Sequence, residues 1–464
     1  MTHHAHVPSE ADTQKLLTGL NRKVTHHLRI EHEPPLPFGA WSIQRYRLGN
    51  GLRVLLQVDH SAPVISYNTW FRVGSRHEKK GKTGLAHLFE HLMFNETKAL
   101  PAGRFDKLLE RAGAETNAAT WTDWTYYYEN IPSDQLALIV KLEAERMHNL
   151  VLRDKPVASE KEVVANERRY RVDDDIEGTV NETLWAHAFE VHPYHHPTIG
   201  WMKDIQSFTP EDCRAFYKTF YAPNNATIVL VGDLDVRRTL SLVRKYYGGL
   251  KSARIPDEEF DDEPGQSAER SVVLSRPTPT EKVSVGYKCP GFGHEDHAAL
   301  SVLAEVLTGG RSSRFYRDFV TEKEIATDVS GWASTFRDPG LIELTVTGRE
   351  GVSADRLLHA FNRAVENLTH SPITPDERDR AVARMELTFL RNLETVGGRA
   401  EQIGFFDTVL GDAAGGFVRL EKIRGVTTDD LREVVRRYMV RHRRTVVVVR
   451  SDLGNHDEHK GRGR

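Results

Sequence analysis

Alternating and helical hydrophobic patterns divide the first half of the chain into short strands and amphipathic helices. A strand that begins at Gln44, an Asn-Gly turn and a second strand that ends at Val58 predict a β-hairpin. Another strand is predicted from Val64 to Phe71, and residues 116–130 alternate and are rich in Thr, Trp and Tyr, as strands are. Between and after these strands the apolar residues recur at helical spacing, which predicts helices over residues 103–112, 133–149, 181–189 and 210–221 and a buried strand over 226–231.

An acidic stretch with two prolines, residues 251–269, interrupts this pattern and is typical of a linker. Beyond it the pattern restarts with strands over 271–275 and 282–288, a helix over 295–307 and a last strand over 445–450. We therefore predict four parts, which are an N-terminal extension (1–38), a first domain (39–250), the linker (251–269) and a second domain (270–464).

The two halves look like copies of one another. When residues 87–92 (HLFEHL) are laid over residues 302–307 (VLAEVL), the leucines and the glutamate are kept and both histidines become valine. The second half is therefore expected to repeat the fold without the two histidines of the first. Since valine suffices at this position of the fold, the histidines of the first half must serve another purpose.

Composition and charge exclude several classes of function. The chain has 464 residues, of which 28% are charged, and its net charge of −3 does not suggest binding to nucleic acid or to an anionic membrane. No apolar run approaches the ~20 residues of a membrane span. The two cysteines, Cys213 and Cys289, form no disulfide framework, and the polar N-terminus lacks a secretory signal, so a cytoplasmic location is expected.

The candidate chemistry lies in the stretch from residue 83 to residue 94. On a helix, His87 and His91 lie one turn apart on one face, and Glu90 lies within reach of the same face. Two imidazoles and a carboxylate suit a zinc hydrolase, in which the metal needs ligands and its water needs a base. The pattern is H-x-x-E-H, the inverted form of H-E-x-x-H. The alternative interpretation is a core helix whose histidines are satisfied by hydrogen bonds.

A second helix, predicted after Pro156, carries Glu160 and Glu167 two turns apart and therefore on the same face. A solvated acidic face is the ordinary interpretation of such a run, but the two valines between them indicate that the helix is packed. Three further histidines, in residues 192–197 (HPYHHP), lie in a loop rich in proline. They are more simply read as polar loop residues or substrate contacts than as metal ligands.

Taken together, these motifs resemble those of the pitrilysin/insulinase family of zinc peptidases, the inverzincins. The likeness is to the short two-domain form, which includes the mitochondrial processing peptidase subunits and many bacterial peptidases, and it covers roughly residues 40–455. The motifs agree in order along the chain and are residues 84–91 (GLAHLFEH), 117–120 (NAAT), 160–167 (EKEVVANE), 192–200 (HPYHHPTIG), 220–226 (FYAPNNA) and 309–316 (GGRSSRFY).

The resemblance implies a role for each matching residue. His87, His91 and Glu167 would be the zinc ligands, and Glu90 the general base. Glu160 would orient or tune the site. The edge strand at Asn117 and Ala118 would pair with an extended peptide substrate. The implied fold class is α+β, with two homologous domains that each have a mainly antiparallel sheet and helices packed on one face.

One departure from the family pattern concerns the second half. Active members usually carry an Arg and a Tyr, seven residues apart, that bind the substrate carbonyl. Val320 and Thr327 occupy those places here. The hypothesis is a zinc endopeptidase subunit in a heterodimer, whose homologous partner lacks the zinc motif and supplies the Arg/Tyr pair. The alternatives are a non-catalytic scaffold subunit of a larger complex and a presequence-processing peptidase subunit.

Overall fold

The computed structural model describes residues 10–258, 260 and 263–453. Residues 1–9, 259, 261, 262 and 454–464, which fall in the predicted extension, linker and second domain, lie outside the described residues. The chain forms two compact units, and each consists of several segments of sequence. Unit 1 comprises Met1–Glu167, Thr198–Glu259 and Leu390–Val418, and unit 2 comprises Arg168–Pro197, Phe260–Phe389 and Arg419–Arg464.

The strands and helices agree in type with most of the hydrophobic pattern. The strands are β1 (Ile30–Phe38), β2 (Trp41–Leu48), β3 (Arg53–Val58), β4 (Val64–Phe71), β5 (Glu115–Thr120), β6 (Thr125–Pro132), β7 (Ala226–Gly232), β8 (Arg270–Arg276), β9 (Lys282–Cys289), β10 (Ala326–Ala333), β11 (Gly340–Gly348) and β12 (Arg444–Ser451). The helices are α1 (Glu10–Leu20), α2 (Leu85–Leu92), α3 (Arg104–Arg111), α4 (Leu136–Asn149), α5 (Asp154–Arg168), α6 (Ile176–Ala188), α7 (Met202–Ser207), α8 (Pro210–Phe220), α9 (Val236–Tyr247), α10 (His297–Thr308), α11 (Ala354–His370), α12 (Pro375–Asn392), α13 (Val396–Leu410), α14 (Gly415–Gly425) and α15 (Thr428–Tyr438).

Unit 1 is built on a seven-stranded sheet with the order β1-β2-β3-β7-β4-β6-β5. All neighbours are antiparallel except β3 and β7, which are parallel. The central strand β7 is buried along its whole length, which explains its continuous apolar sequence. At one end of the sheet, β5 pairs with β6 and with no other described strand.

Strand β1 lies within the predicted N-terminal extension, for which no strand was predicted. It contains Pro34, Pro35 and Pro37, which the hydrophobic pattern alone would exclude from a strand. The strand lies at the edge of the sheet and pairs only with β2, and its register shifts between Glu33 and Leu36. Prolines are tolerated at edges and bulges because no second ladder needs their missing N–H groups.

Unit 2 is built on a five-stranded sheet with the order β10-β11-β9-β12-β8. Its strand pairing repeats that of five strands of unit 1. Taken in order across the two sheets, the corresponding strands are β10 and β5, β11 and β6, β9 and β4, β12 and β7, and β8 and β3. The single parallel pair is again the last one, between β12 and β8. The predicted α+β class with two homologous mainly antiparallel sheets is confirmed, whereas the boundaries at residues 250 and 270 stay a prediction.

Each unit includes one helix from the other half of the sequence. In unit 1, α13 packs on β4 and β7, and a Cβ on its Gly404 would collide with the Trp70 ring. The neighbouring Thr69 bonds Glu143 of α4 instead, at 3.0 Å. Because successive strand residues point to opposite faces, α13 and α4 lie on opposite faces of the sheet. In unit 2, α6 covers the face on which Val447 and Val449 lie.

Candidate metal centre

Helix α2 presents two histidines from an otherwise buried apolar helix. Leu85, Leu88 and Leu92 are buried on its inner side. The imidazole rings of His87 and His91 are one turn apart, with their centroids separated by 5.0 Å. Burial of the leucines fixes the rotation of the helix, and this fixes the direction in which both histidines point.

Helix α5 brings its glutamates to the same place. Val157 and Val164 are buried on the face that also carries Glu160 and Glu167, so this acidic face is packed rather than solvated. The Glu167 Oε2 atom lies 3.3 Å from His91 Nε2 and 3.8 Å from His87 Nε2. Three ligand atoms therefore converge from two helices that are distant in sequence.

The three groups have the chemistry and the spacing that a tetrahedral zinc ion requires. One ligand atom of each of His87, His91 and Glu167 lies within 4.8 Å of the others. Zinc bonds of about 2.0–2.1 Å in tetrahedral geometry place ligand atoms roughly 3.3 Å apart, which is close to the observed separations. No second group of three such side chains occurs in the part of the chain that the structure describes. The residues thus fit a metal with one position left open.

Glu90 lies beside this group and is half-buried. Burial raises the pKa of its carboxyl, although a hydrogen bond from Thr120 and the nearby His91 partly oppose the effect. A carboxylate with a raised pKa is better suited to take up a proton near neutral pH than an ordinary exposed one. Such an environment suits a group that accepts and releases a proton.

Glu160 faces the far side of His91. The Glu160 Oε2 atom lies 3.8 Å from His91 Nδ1, and Glu160 Oε1 accepts a hydrogen bond of 2.9 Å from the Asn95 side chain. Burial opposes a charge on His91, but Glu167, Glu90 and Glu160 together raise its pKa. A cation is therefore favoured here, and a bound metal ion would replace the proton.

The open edge of the sheet lies close to the same helix, since α2 packs against β5. Residues Asn117 and Ala118 are in the middle of β5. The Asn117 Oδ1 atom accepts a hydrogen bond of 2.9 Å from the Ala118 N–H, so this main-chain donor is directed away from the ladder with β6. A carbonyl oxygen of an added strand could accept from the Ala118 N–H once the Asn117 side chain had moved away.

Sequence reasoning missed several residues that support the site. Asn95 bonds Glu160, Thr120 lies beside Glu90, and the Tyr127 hydroxyl donates to the carbonyl oxygen of Phe89 at 3.1 Å. The Tyr221 hydroxyl lies 3.0 Å from that of Tyr127. Asn95 follows His91 by four residues, but α2 ends at Leu92, so helical spacing does not predict its position. Thr120 and Tyr221 lie in two of the matching segments, which assigned them no role.

The histidine-rich loop lies in unit 2 and makes ordinary polar contacts. His192 bonds Asp338 at 3.1 Å, and His195 Nδ1 lies 3.1 Å from the carbonyl oxygen of Ala186. None of the three histidines of this loop belongs to the metal-binding group. The interpretation as polar loop residues is the one that these contacts favour.

Val320 and Thr327, which occupy the places of the Arg/Tyr pair, also lie in unit 2. Val320 packs against the apolar core, and the Thr327 hydroxyl donates to the Thr347 carbonyl oxygen at 3.4 Å. The neighbouring Arg314 forms an ion pair of 2.6 Å with Glu377. Neither Val320 nor Thr327 has the guanidinium or phenol group that a bound carbonyl would require.

No helix among residues 10–453, as far as these are described, is both long and apolar enough to cross a bilayer.

Comparison with known proteins shows similarity to peptidases along most of the chain. The profile of the insulinase family, peptidase family M16, matches residues 53–200, and that of the M16 inactive domain matches residues 207–385. The zinc protease PqqE of Helicobacter pylori is 34% identical over 353 residues, which are 75% of this chain and 79% of that protein. The beta subunit of the mitochondrial-processing peptidase of Lentinula edodes is 22% identical, over 84% of this chain and 86% of that one. The crystal structure of a protease from Helicobacter pylori superposes with a TM-score of 0.83 at 30% identity, over 90% of this chain and 99% of that chain.

Proposed function

Since the chain belongs to the insulinase family of peptidases, family M16, we propose that it is a zinc-dependent endopeptidase subunit that hydrolyses oligopeptides or unfolded segments. The observation that carries this proposal is the convergence of His87, His91 and Glu167 within 4.8 Å, beside Glu90. Relatives named as zinc proteases support zinc as the cofactor.

His87, His91 and Glu167 hold the zinc ion in this proposal. The ion supplies Lewis-acid chemistry, which polarises a water molecule and the peptide carbonyl. Glu90 takes a proton from the attacking water and delivers it to the nitrogen of the leaving amine. The raised pKa of Glu90 suits both steps, because the carboxylate must accept the proton and then release it.

Glu160 is a positioning residue in this proposal, because it acts through His91. Its carboxylate faces His91 Nδ1 and is itself held by Asn95. Such a partner fixes the orientation of the ring and makes the other ring nitrogen a stronger ligand.

Substrate binds as an added strand along the open edge of β5 in this proposal. Main-chain hydrogen bonds at Asn117 and Ala118 would hold the peptide without a strict demand on its side chains. The Asn117 side chain, which now accepts from the Ala118 N–H, would rotate away when the peptide carbonyl takes its place. This recognition favours extended peptides over folded proteins.

A related partner subunit completes the site in this proposal. Val320 and Thr327 cannot stabilise an oxyanion, and Arg314 is engaged by Glu377. A relative that is named as a subunit supports a heterodimer, in which the second chain supplies an Arg/Tyr pair.

Zinc content and peptide hydrolysis test the proposal together. We expect the purified chain to bind one zinc ion by native mass spectrometry, and to hydrolyse an unstructured fluorogenic peptide only when the partner is present. Removal of zinc by a chelator should abolish hydrolysis, and added zinc should restore it. A chain that binds no zinc would support the scaffold alternative. Full turnover by a homogeneous single-chain sample would refute the proposal that a partner subunit completes the site.

A further inference from the structure

Helix α2 has an unusual beginning. It starts at Leu85, so that His87 lies in its first turn. The first N–H groups of a helix have no partner within the helix, and a side chain at the N-cap normally binds one of them. The N-cap here is Gly84, which has no side chain to offer.

Glycine is required at this N-cap by a close crossing of two chain segments. Gly84 has a φ of 93°, and a Cβ at this position would collide with the carbonyl oxygen of Ile199. Gly200 has a φ of 86°, and a Cβ there would collide with the carbonyl oxygen of Thr83. The usual capping residues are therefore excluded, and the N–H groups of α2 need a partner from elsewhere.

Glu78 supplies that partner. Its Oε2 atom accepts a hydrogen bond of 2.8 Å from the Gly84 N–H, and its Oε1 atom accepts one of 2.6 Å from the Ala86 N–H. A carboxylate in this place also faces the positive end of the helix dipole. The two oxygens of one side chain thus replace the missing N-cap.

Asp204 fixes the residue just before the helix. Its Oδ2 atom accepts from the Thr83 hydroxyl at 2.7 Å and from the Thr83 N–H at 3.2 Å. The Thr83 hydroxyl in turn accepts from the Trp201 N–H at 3.0 Å. These bonds keep residues 83–84 against residues 199–201, where the two glycines cross.

We propose that Glu78 is a positioning residue of the metal centre, which sets the place of His87 by holding the first turn of α2. The proposal rests on the proposed function, because it gives Glu78 a purpose only if His87 binds metal. Without the two hydrogen bonds from Gly84 and Ala86 to Glu78, the first turn of α2 frays. His87 then spends less time in the geometry that the metal requires.

The test is Glu78→Gln, because glutamine keeps the shape but turns one acceptor oxygen into an NH₂ donor that faces a main-chain N–H. We expect the zinc dissociation constant, measured by competition with a chelator, to rise about tenfold or more. The value of kcat should fall by a similar factor while KM stays within twofold. The matched control is Asp235→Asn, which removes the carboxylate that caps α9 in the same unit, where Asp235 accepts from the Arg238 N–H at 2.6 Å.

Equal zinc affinities of Glu78→Gln and Asp235→Asn would overturn the proposal. Amide hydrogen exchange of the unaltered protein gives a second test that does not depend on the variant's folding. Gly84 and Ala86 should be as protected as Leu88, whereas rapid exchange at both amides would also overturn the proposal. If no sample hydrolyses peptides, the proposed function fails, and zinc affinity and amide exchange still decide the role of Glu78.

Discussion

Helices α2 and α10 occupy equivalent positions beside two equivalent sheets, and their polar residues differ in a consistent way. Helix α2 packs against β5 and α10 against β10, the corresponding edge strands. Where α2 directs His87 and His91 towards Glu167, α10 buries Val302 and Val306 in the apolar core of unit 2. The same position in the fold thus accepts either two histidines or two valines, so the histidines of α2 are not needed for the fold.

The glutamate that both helices keep shows the difference most clearly. Glu305 of α10 forms an ion pair of 2.5 Å with Arg384. Glu90 of α2 lies instead beside Thr120, in a place where burial raises the pKa of its carboxyl. The Glu305 carboxylate is engaged by the ion pair with Arg384, whereas Glu90 lies beside the group of metal-binding side chains. Only the environment of Glu90 therefore suits acid–base chemistry.

The starts of the two helices are held by different contacts. Glu78 binds the first N–H groups of α2. The N-cap of α10 is Asp296, whose side chain caps no N–H group of the helix and instead forms an ion pair of 2.6 Å with Arg437. Helix α10 does without a side-chain cap because ten of its twelve residues are buried, which anchors the helix by packing.

The largest expected effect comes from removal of a metal ligand at matched positions. His91→Ala should reduce the zinc content of the purified protein from one ion to none and abolish hydrolysis. Val306→Ala, at the matching position of α10, should keep the zinc and lower the free energy of unfolding by about 1–3 kcal/mol, because it leaves a cavity. Native mass spectrometry and denaturant titration measure the two quantities. Retention of zinc by His91→Ala would break the comparison.

The second prediction concerns the shared glutamate. Glu90→Gln should lower kcat by about 10²- to 10⁴-fold and keep the zinc, because the amide cannot accept the proton. Glu305→Gln should leave kcat within twofold, since its carboxylate serves only the ion pair with Arg384. Steady-state kinetics with the complete enzyme and zinc analysis of both variants provide the check. Comparable losses of kcat would mean that Glu305 also takes part in the reaction.

The third prediction sharpens the comparison at the helix that faces α2. Glu160→Gln should weaken zinc binding and lower kcat/KM by about tenfold, because His91 loses the carboxylate beside its Nδ1 atom. Glu162→Gln, an exposed glutamate on the same helix, is the control and should change neither value more than twofold. Competition with a chelator and peptide hydrolysis measure these changes. The role of Glu160 is refuted if the two variants behave alike.

The smallest expected effect is that of the ion pair on α10. Arg384→Met should lower the free energy of unfolding by at most about 1 kcal/mol, because Arg384 is 54% exposed and water screens the pair. Denaturant titration of the variant beside the unaltered protein measures the difference. A loss above about 2 kcal/mol would show that α10 depends on charge as strongly as α2 does.

The sequence predicted most of the metal-binding set because its members follow helical spacing. His87 and His91 are one turn apart, and Glu160 and Glu167 are two turns apart, so the periodicity places each pair on one face. Which helix faces which is not contained in the periodicity, and the family resemblance supplied it. Glu78, Asn95 and Thr120 escaped prediction because they lie in loops or at a strand end, where spacing carries no such signal.

Many elements of the first half were predicted from the hydrophobic pattern, whereas none was specified between residues 307 and 445, where β10, β11 and α11–α15 lie. Two further exceptions have physical causes. Strand β1 was not predicted because it contains prolines, which a strand tolerates only at the edge of a sheet or at a bulge. The exchange of α6 and α13 between the halves was not foreseen, because an apolar helix face does not specify which sheet it will cover. Helix α13 is buried around much of its circumference, so its sequence indicates burial without a direction.

The exchanged helix α13 has a consequence for biosynthesis. The sheet of unit 1 is complete once residue 232 has left the ribosome, but the helix that covers Trp70 is encoded at Val396–Leu410. At the usual translation rate of ~5–20 residues per second, this face of the sheet stays exposed for roughly 10–30 s before α13 has been synthesised. During that time the nascent chain exposes an aromatic surface, so this protein is expected to engage chaperones while it is still being translated.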